Sequence, residues 1–257
     1  MAVWRGNVIG VINNPTTTRS SGIWSLVEQF IARRGGVWPI SPIISSGLVL
    51  NLDAGNPASA PGTGNTWFDL SPSGLNATGS SAITGGSLND TQPYTTASTS
   101  ILNTDTHTIS FMLQINNTNG NWSKIFGYEP AGTDRSPGIW RWPTSRRLHW
   151  RYDPTNTSAD FSVDSIVDDG GTQFVANRWY YLTVAKNGST AVMYVDGNRL
   201  GQKTVANPKT AGNSPITLYP SYNQNTSRMA MVHIYNRALS DAEVLQNFNT
   251  VRSGYGI

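Results

Sequence analysis

Hydrolysis of a glycosidic bond needs two carboxyl groups flanking the scissile bond, and the chain offers three glutamates for that work: Glu28, Glu129 and Glu243. Two have local employment. Glu28 stands three residues after Ser25, and Glu243 three after Ser240, the spacing at which a serine and a glutamate cap a helix reciprocally. Glu129 lies in a Tyr-Glu-Pro turn. No glutamate pair projects from one strand, and an aspartate pair would have no motif behind it. The three histidines, His107, His149 and His233, are far apart and lack ligand spacing, which points to structural, hydrogen-bonded roles. No Gly-X-Ser-X-Gly elbow occurs, so a serine hydrolase has no support. Cysteine is absent, which excludes disulfides and thiolate metal sites. The chain is expected not to be an enzyme.

A different chemistry is written into Trp140-Arg141-Trp142-Pro143 and Arg146-Arg147-Leu148-His149-Trp150-Arg151-Tyr152. As a strand, the second run turns Leu148, Trp150 and Tyr152 one way and Arg147, His149 and Arg151 the other. Together with Trp140, Arg141 and Trp142, the basic face would stack on a sugar ring or anchor a neighbouring subunit, since Trp and Arg dominate binding surfaces. The alternative is that the tryptophans are ordinary core and the arginines solvated.

These groups need a scaffold, and the sequence specifies an antiparallel one. Trp179 to Ala185 and Thr190 to Val195 are β-rich runs around Lys186-Asn187-Gly188-Ser189, and Asn-Gly supplies the positive φ angles of a tight hairpin. A second turn at Asp196-Gly197-Asn198 continues the meander through Arg199 and Leu200. Tyr180, Leu182 and Val184 lie on one face of the first strand and Trp179 and Tyr181 on the other, so both faces should be covered. Further strands are predicted at 48–53, 108–115, 123–128, 138–142, 147–152, 173–175, 215–219 and 228–235, with Trp67 to Leu70 between two turns. Strands without alternating helices predict an all-β, two-sheet antiparallel β-sandwich over residues 47–257. Ser240-Asp241-Ala242-Glu243 opens a C-terminal helix, and Val244, Leu245, Phe248 and Val251 lie at helical spacing to pack across it.

Residues 1–46 read differently. An extended arm leads to a short helix opened by Ser25, with Leu26 paired to Phe30 and Val27 to Ile31, and closed by Gly35-Gly36. Trp24 and Trp38 bracket it. Only 13% of the 257 residues are charged, and the net charge of +3 lies wholly before residue 48, where four arginines (Arg5, Arg19, Arg33 and Arg34) face one glutamate. This suggests docking onto an acidic surface; four arginines are too sparse to imply specific nucleic-acid binding. Trp24, Leu26, Phe30, Ile31, Arg33, Arg34 and Trp38 are the expected attachment residues. No run reaches the length of a membrane span, and Val8 to Ile12 is too short for a signal-peptide core, so the chain is expected to be soluble and unprocessed, with no membrane partner.

Trp179-Tyr180-Tyr181-Leu182-Thr183-Val184, then Met193-Tyr194-Val195-Asp196-Gly197, then Val232-His233-Ile234-Tyr235-Asn236-Arg237-Ala238-Leu239-Ser240-Asp241-Ala242-Glu243-Val244 resemble the laminin-G-like jelly roll of the concanavalin A-like lectin/glucanase superfamily. The Glu-X-Asp-X-X-Glu arrangement of its glucanases is absent here. The resemblance implies two curved sheets packed face to face, and it raises calcium as an optional ligand, for which Asp53, Asp69, Asp168 and Asp169 are candidates; aspartates capping turns are the simpler reading. Asn14-Pro15-Thr16, Gly22 to Leu26, Glu28-Gln29, Gly36 to Pro39, Gln246 to Arg252 and the ending Tyr255-Gly256-Ile257 resemble segments of tailed-bacteriophage structural proteins. That implies a non-enzymatic component of the virion surface, held by its N-terminal arm to other virion structural proteins and forming a homo-oligomer, with capsid decoration or cementing ahead of a tail-fibre or baseplate role. The rival is a lectin-like module for a cell-surface glycan, and the remote one a glucanase.

Overall fold

A computed structural model describes residues 42–89, 93–118, 120–130, 136–152, 174–205, 212–220 and 226–257. The chain divides into two units, Met1–Ile43 and Ile44–Ile257. The expected arm, helix and attachment residues, Trp24 to Trp38, lie outside the described residues, as do Asp168 and Asp169.

Thirteen strands occur among the described residues. They are β1 (Leu48–Asp53), β2 (Thr66–Trp67), β3 (Ala77–Thr78), β4 (Tyr94–Thr96), β5 (Thr106–Gln114), β6 (Ser123–Tyr128) and β7 (Gly138–Arg141). Then come β8 (Leu148–Arg151), β9 (Trp179–Asn187), β10 (Thr190–Val195), β11 (Asn198–Thr204), β12 (Ile216–Leu218) and β13 (Arg228–Tyr235). One sheet has six strands in the order β1-β13-β5-β9-β10-β11, and the other seven in the order β2-β3-β4-β12-β6-β7-β8. Every pairing is antiparallel. The expected all-β sandwich is the fold.

Alternation along each strand builds the core. Ile109, Phe111 and Leu113 of β5 and Leu182 and Val184 of β9 meet Phe126, Ile139 and Trp150 of the other sheet, all buried. Phe111 holds this layer together, 5.4 Å from the ring of Phe126 and 5.6 Å from that of Trp150, within the range of favourable aromatic pairs. Outward residues of the six-stranded sheet are buried too. The helix α1 (Asp241–Val251) lies over Met112, Tyr181 and Met231 with Phe248, and over Tyr194 and Tyr235 with Val244. This is why β9 carries large groups on both faces. Leu245, expected in the packed stripe, is exposed.

The capping box of α1 forms as expected, with Ser240 and Glu243 exchanging hydrogen bonds. Arg237 donates to both oxygens of Glu243 at 2.9 and 2.7 Å, which holds that carboxyl down at about 2. Asn247, fully buried, ties the start of the sandwich to the helix: its Oδ1 accepts from the Ile44 N–H at 2.8 Å while its Nδ2 donates to Tyr235 Oη at 3.0 Å.

Both hairpin turns are shorter than expected, two residues each in place of four and three. Asn187 pairs with Thr190 and stays in β9, so the two-residue loop is Gly188-Ser189, with Gly188 alone in the left-handed region at φ 56°. The second loop is Asp196-Gly197, closed by the Val195–Asn198 pair. Both residues are left-handed, at φ 52° and 75°, the requirement of a type I′ turn. Asp196 Oδ1 accepts from the Tyr181 N–H at 2.9 Å and Oδ2 from Arg178 Nη2 at 2.7 Å. A Cβ on Gly197 would approach Phe248 to 2.9 Å, so helix packing and turn geometry both demand glycine. Of the predicted strand at 173–175, Gln173 is outside the described residues, and Phe174 and Val175 are not in a strand; the Val175 N–H donates instead to Tyr180 Oη at 2.8 Å.

Candidate functional site

The outer face of the seven-stranded sheet gathers the aromatic and basic residues. Cross-strand pairing puts Lys124 of β6 beside Trp140 of β7, and Trp140 beside His149 of β8. A bulge between Lys124 and Phe126 lets Ile125 and Phe126 both enter the core, and so resets which β6 residues face outward. Trp142 follows Trp140 on the same face, and Arg147 and Arg151 flank His149 on theirs.

The centre of this face is a ring cluster. Trp122 lies 4.9 Å from Trp142 and 5.0 Å from His149, and Trp142 lies 5.9 Å from His149 nearly edge-on. His149 is buried beneath the two indoles, only 8% exposed, whereas Trp122 is 38% exposed. Arg147 stands over the Trp142 ring at 5.5 Å, in cation–π range, and Arg151 Nη1 is 3.3 Å from His149 Nε2. Further along, Lys124 lies over Trp140 at 5.7 Å and pairs with Glu129 at 2.5 Å. Gly127 permits this pair, because a Cβ there would come within 2.4 Å of the Lys124 stem.

Five of the six residues expected here thus share a face: Trp140, Trp142, Arg147, His149 and Arg151. Arg141 does not. It pairs with Ser123 and Leu148 on the opposite side, is fully buried, and donates to Ser123 Oγ at 3.0 Å and to the carbonyls of Asn121, Trp142, Pro143 and Ser145. Burial lowers its pKa. Strand alternation separates it from its two tryptophan neighbours, and its work is to tie down the β7–β8 loop. His149 and Arg151 point as expected but are buried rather than solvated. Trp122 was not among the residues singled out from the sequence; it stands alone just before β6, and only the fold brings it to Trp142.

The remaining chemistry-bearing groups are engaged elsewhere. His107 is fully buried, hydrogen-bonded to the Thr104 carbonyl at 3.2 Å and to Tyr152 Oη at 3.1 Å. Burial, helped by the nearby Lys186 ammonium, pushes its pKa down to about 3. His233 lies under α1 near Tyr181 Oη, 3.4 Å away, and burial takes it to about 4. Asp69 accepts five hydrogen bonds, from the N–H groups of Asn51, Ser71 and Leu75 and the hydroxyls of Ser71 and Ser73, and so folds the Ser71–Leu75 turn. Asp53 accepts from the Gly55 N–H at 2.9 Å, and its pKa is raised by burial. Among the described residues, no group of three His, Asp or Glu could share a metal ion.

A family model, Laminin_G_3 of the concanavalin A-like lectin/glucanases superfamily, matches residues 89–245, more than half of the chain. The chain belongs to this superfamily. No curated protein matches its sequence. Among solved structures, this superfamily member is similar to the Trypanosoma rangeli sialidase, with a TM-score of 0.60 and 16% identity over 85% of this chain and 35% of the sialidase. It is also similar to the binding domain of botulinum neurotoxin serotype D/C VPI 5993, with a TM-score of 0.56 and 17% identity over 80% of this chain and 52% of that domain. The chain therefore spans about a third of one neighbour and about half of the other, and at these identities the likeness is one of fold.

Proposed function

We propose that the sandwich is a non-enzymatic carbohydrate-binding module whose ligand rests on the outer face of the seven-stranded sheet. The observation that carries this reading is the exposed Trp122 indole, braced by Trp142 and the buried His149 ring. An indole offers a sugar a flat apolar surface, and holding it rigid beforehand lowers the entropic cost of binding. The same face carries polar groups suited to hydroxyls, Arg147 over the Trp142 ring and the Lys124–Glu129 pair beside Trp140. The sialidase neighbour, solved also in complex with sialic acid, accords with a glycan ligand. Among the described residues, the two glutamates support the non-enzymatic reading: Glu129 is paired with Lys124 and Glu243 is locked to Arg237 in the helix cap, which leaves neither placed as half of an acid pair.

The finer setting, display on a tailed-phage virion with residues 1–46 as the grip, is supported by the sequence of that segment, which holds the whole net charge. The two roles are compatible. The carbohydrate reading is tested by calorimetric titration of ligands found on a glycan array: wild type should saturate, and Trp122→Ala should lose about tenfold or more in affinity. Equal affinity in the variant would refute it.

A further inference from the structure

We infer that Arg228 and Gln114, at one end of the six-stranded sheet, form a carboxylate-binding site for an acidic side chain of a protein partner. The site belongs to the other sheet from the carbohydrate face and does not depend on that reading. The register of β13, β5 and β9 sets Arg228, Gln114 and Trp179 side by side in one row, and directly paired residues share a face. That face is the one covered by α1, since Met112 and Tyr181, two residues away along β5 and β9, pack beneath the helix. Gln114 is only 7% exposed, and a chain of hydrogen bonds sets its orientation. The Asn177 N–H donates to Asn116 Oδ1 at 2.9 Å, and Asn116 Nδ2 donates to Gln114 Oε1 at 3.2 Å. The amide nitrogen of Gln114 can give two hydrogen bonds and gives none among the described residues.

Beside it, Arg228 Nε donates to Ser87 Oγ at 2.9 Å, and the guanidinium stands over the Trp179 ring at 5.9 Å. These contacts hold the group in place. Among the described residues they leave Nη1 and Nη2 without a hydrogen bond and the charge without a carboxylate. A Cβ added to Gly85 would meet only Nη2, at 4.0 Å, so the glycine turn leaves that nitrogen approachable. A guanidinium next to an unused amide offers donors only, and its complement is an anion that accepts through two oxygens. A carboxylate does so, pairing in plane with the fork of an arginine. The Trp179 ring is already engaged by Arg228 and, at 5.3 Å, by Tyr255, so the row grips a carboxylate without offering a free ring for a sugar. Arg252, over Phe248 of the covering helix at 5.5 Å, is a second guanidinium with no carboxylate among the described residues, which favours an acidic protein segment. Trp, Tyr and Arg are also the residues that anchor protein interfaces.

The test follows the Trp179 indole N–H by NMR in the full chain. The probes are acetyl-Gly-Glu-Gly-amide, the same peptide with glutamine in place of glutamate, and glucuronate, each titrated at an ionic strength held constant with sodium chloride. The glutamate peptide should give a saturable shift, with an affinity about fivefold or more above that of the other two. Arg228→Lys keeps the charge but not the fork and should weaken the glutamate peptide by about fivefold or more. Gln114→Glu supplies the carboxylate from within, so it should abolish peptide binding while the urea midpoint stays the same or rises; this variant decides the matter should Arg228→Lys fail to fold. Equal affinity for the glutamate and glutamine peptides, no saturable shift with either, or full peptide binding in Gln114→Glu overturns the site. Glucuronate bound as tightly as the glutamate peptide overturns its assignment to a protein partner. Neither result touches the carbohydrate reading of the other sheet.

Discussion

His107 and His233 are held neutral inside the sandwich, and this makes its stability depend on acid in a calculable way. Both are buried, and burial takes their pKa values from 6.5 to about 3 and about 4. Unfolding exposes both rings, which then bind protons below pH 6.5 that the folded state refuses. The unfolded state carries more protons throughout that window, so stability is complete above pH 6.5 and is lost as the pH falls. At pH 5 the loss is about 2 kcal/mol for each ring, about 4 kcal/mol together, against a total of about 5–15 kcal/mol for a typical domain. Urea unfolding at pH 7.5 and pH 5.0 measures it. Asp53, raised by burial, works in the opposite direction, so the comparison that decides is with single variants. His107→Gln or His233→Gln should each lower the pH-dependent loss by about 2 kcal/mol. Identical losses in wild type and both variants would refute the argument.

Two other outcomes follow from the geometry. Arg141→Met keeps most of the side-chain volume but strands the carbonyls and the hydroxyl that Arg141 serves; it should cost about 3 kcal/mol by urea unfolding, and a loss below about 1 kcal/mol would contradict its structural assignment. Removing residues 1–43 keeps Ile44, whose N–H donates to Asn247, so the remainder should fold with cooperative thermal unfolding and lose attachment to phage particles; full attachment after the deletion would count against the virion reading.

What could be read from the sequence was what short-range rules decide. Asp196-Gly197 announces a type I′ turn because few residue pairs tolerate two left-handed conformations, and Ser240 with Glu243 announces a helix start. The bulk on both faces of β9 foretold covering layers on both sides. What escaped depends on distant partners. Strands β2, β3 and β4 have two or three residues each, too few to show a period, and exist because their neighbours in the sheet complete their hydrogen bonds. At the candidate site, alternation correctly set His149 opposite Trp150, and the same rule applied to Trp140-Arg141-Trp142 would have withdrawn Arg141 from the binding face. Trp122 had no such local rule. Its position against Trp142 is a product of sheet assembly, with 19 residues between them in the chain.

The central claim is that sugar lies on the outer face of the seven-stranded sheet, and the nine tryptophans provide its reporters. Indole N–H resonances should be followed by NMR while a polysaccharide digest is titrated into the full chain. The signals of Trp122, Trp140 and Trp142 should shift saturably together, while those of Trp67 and Trp150, fully buried in the core, stay fixed. Saturable shifts confined to Trp179, beside Tyr255 at the helix end of the sandwich, or no saturable shift at any indole, would contradict the account.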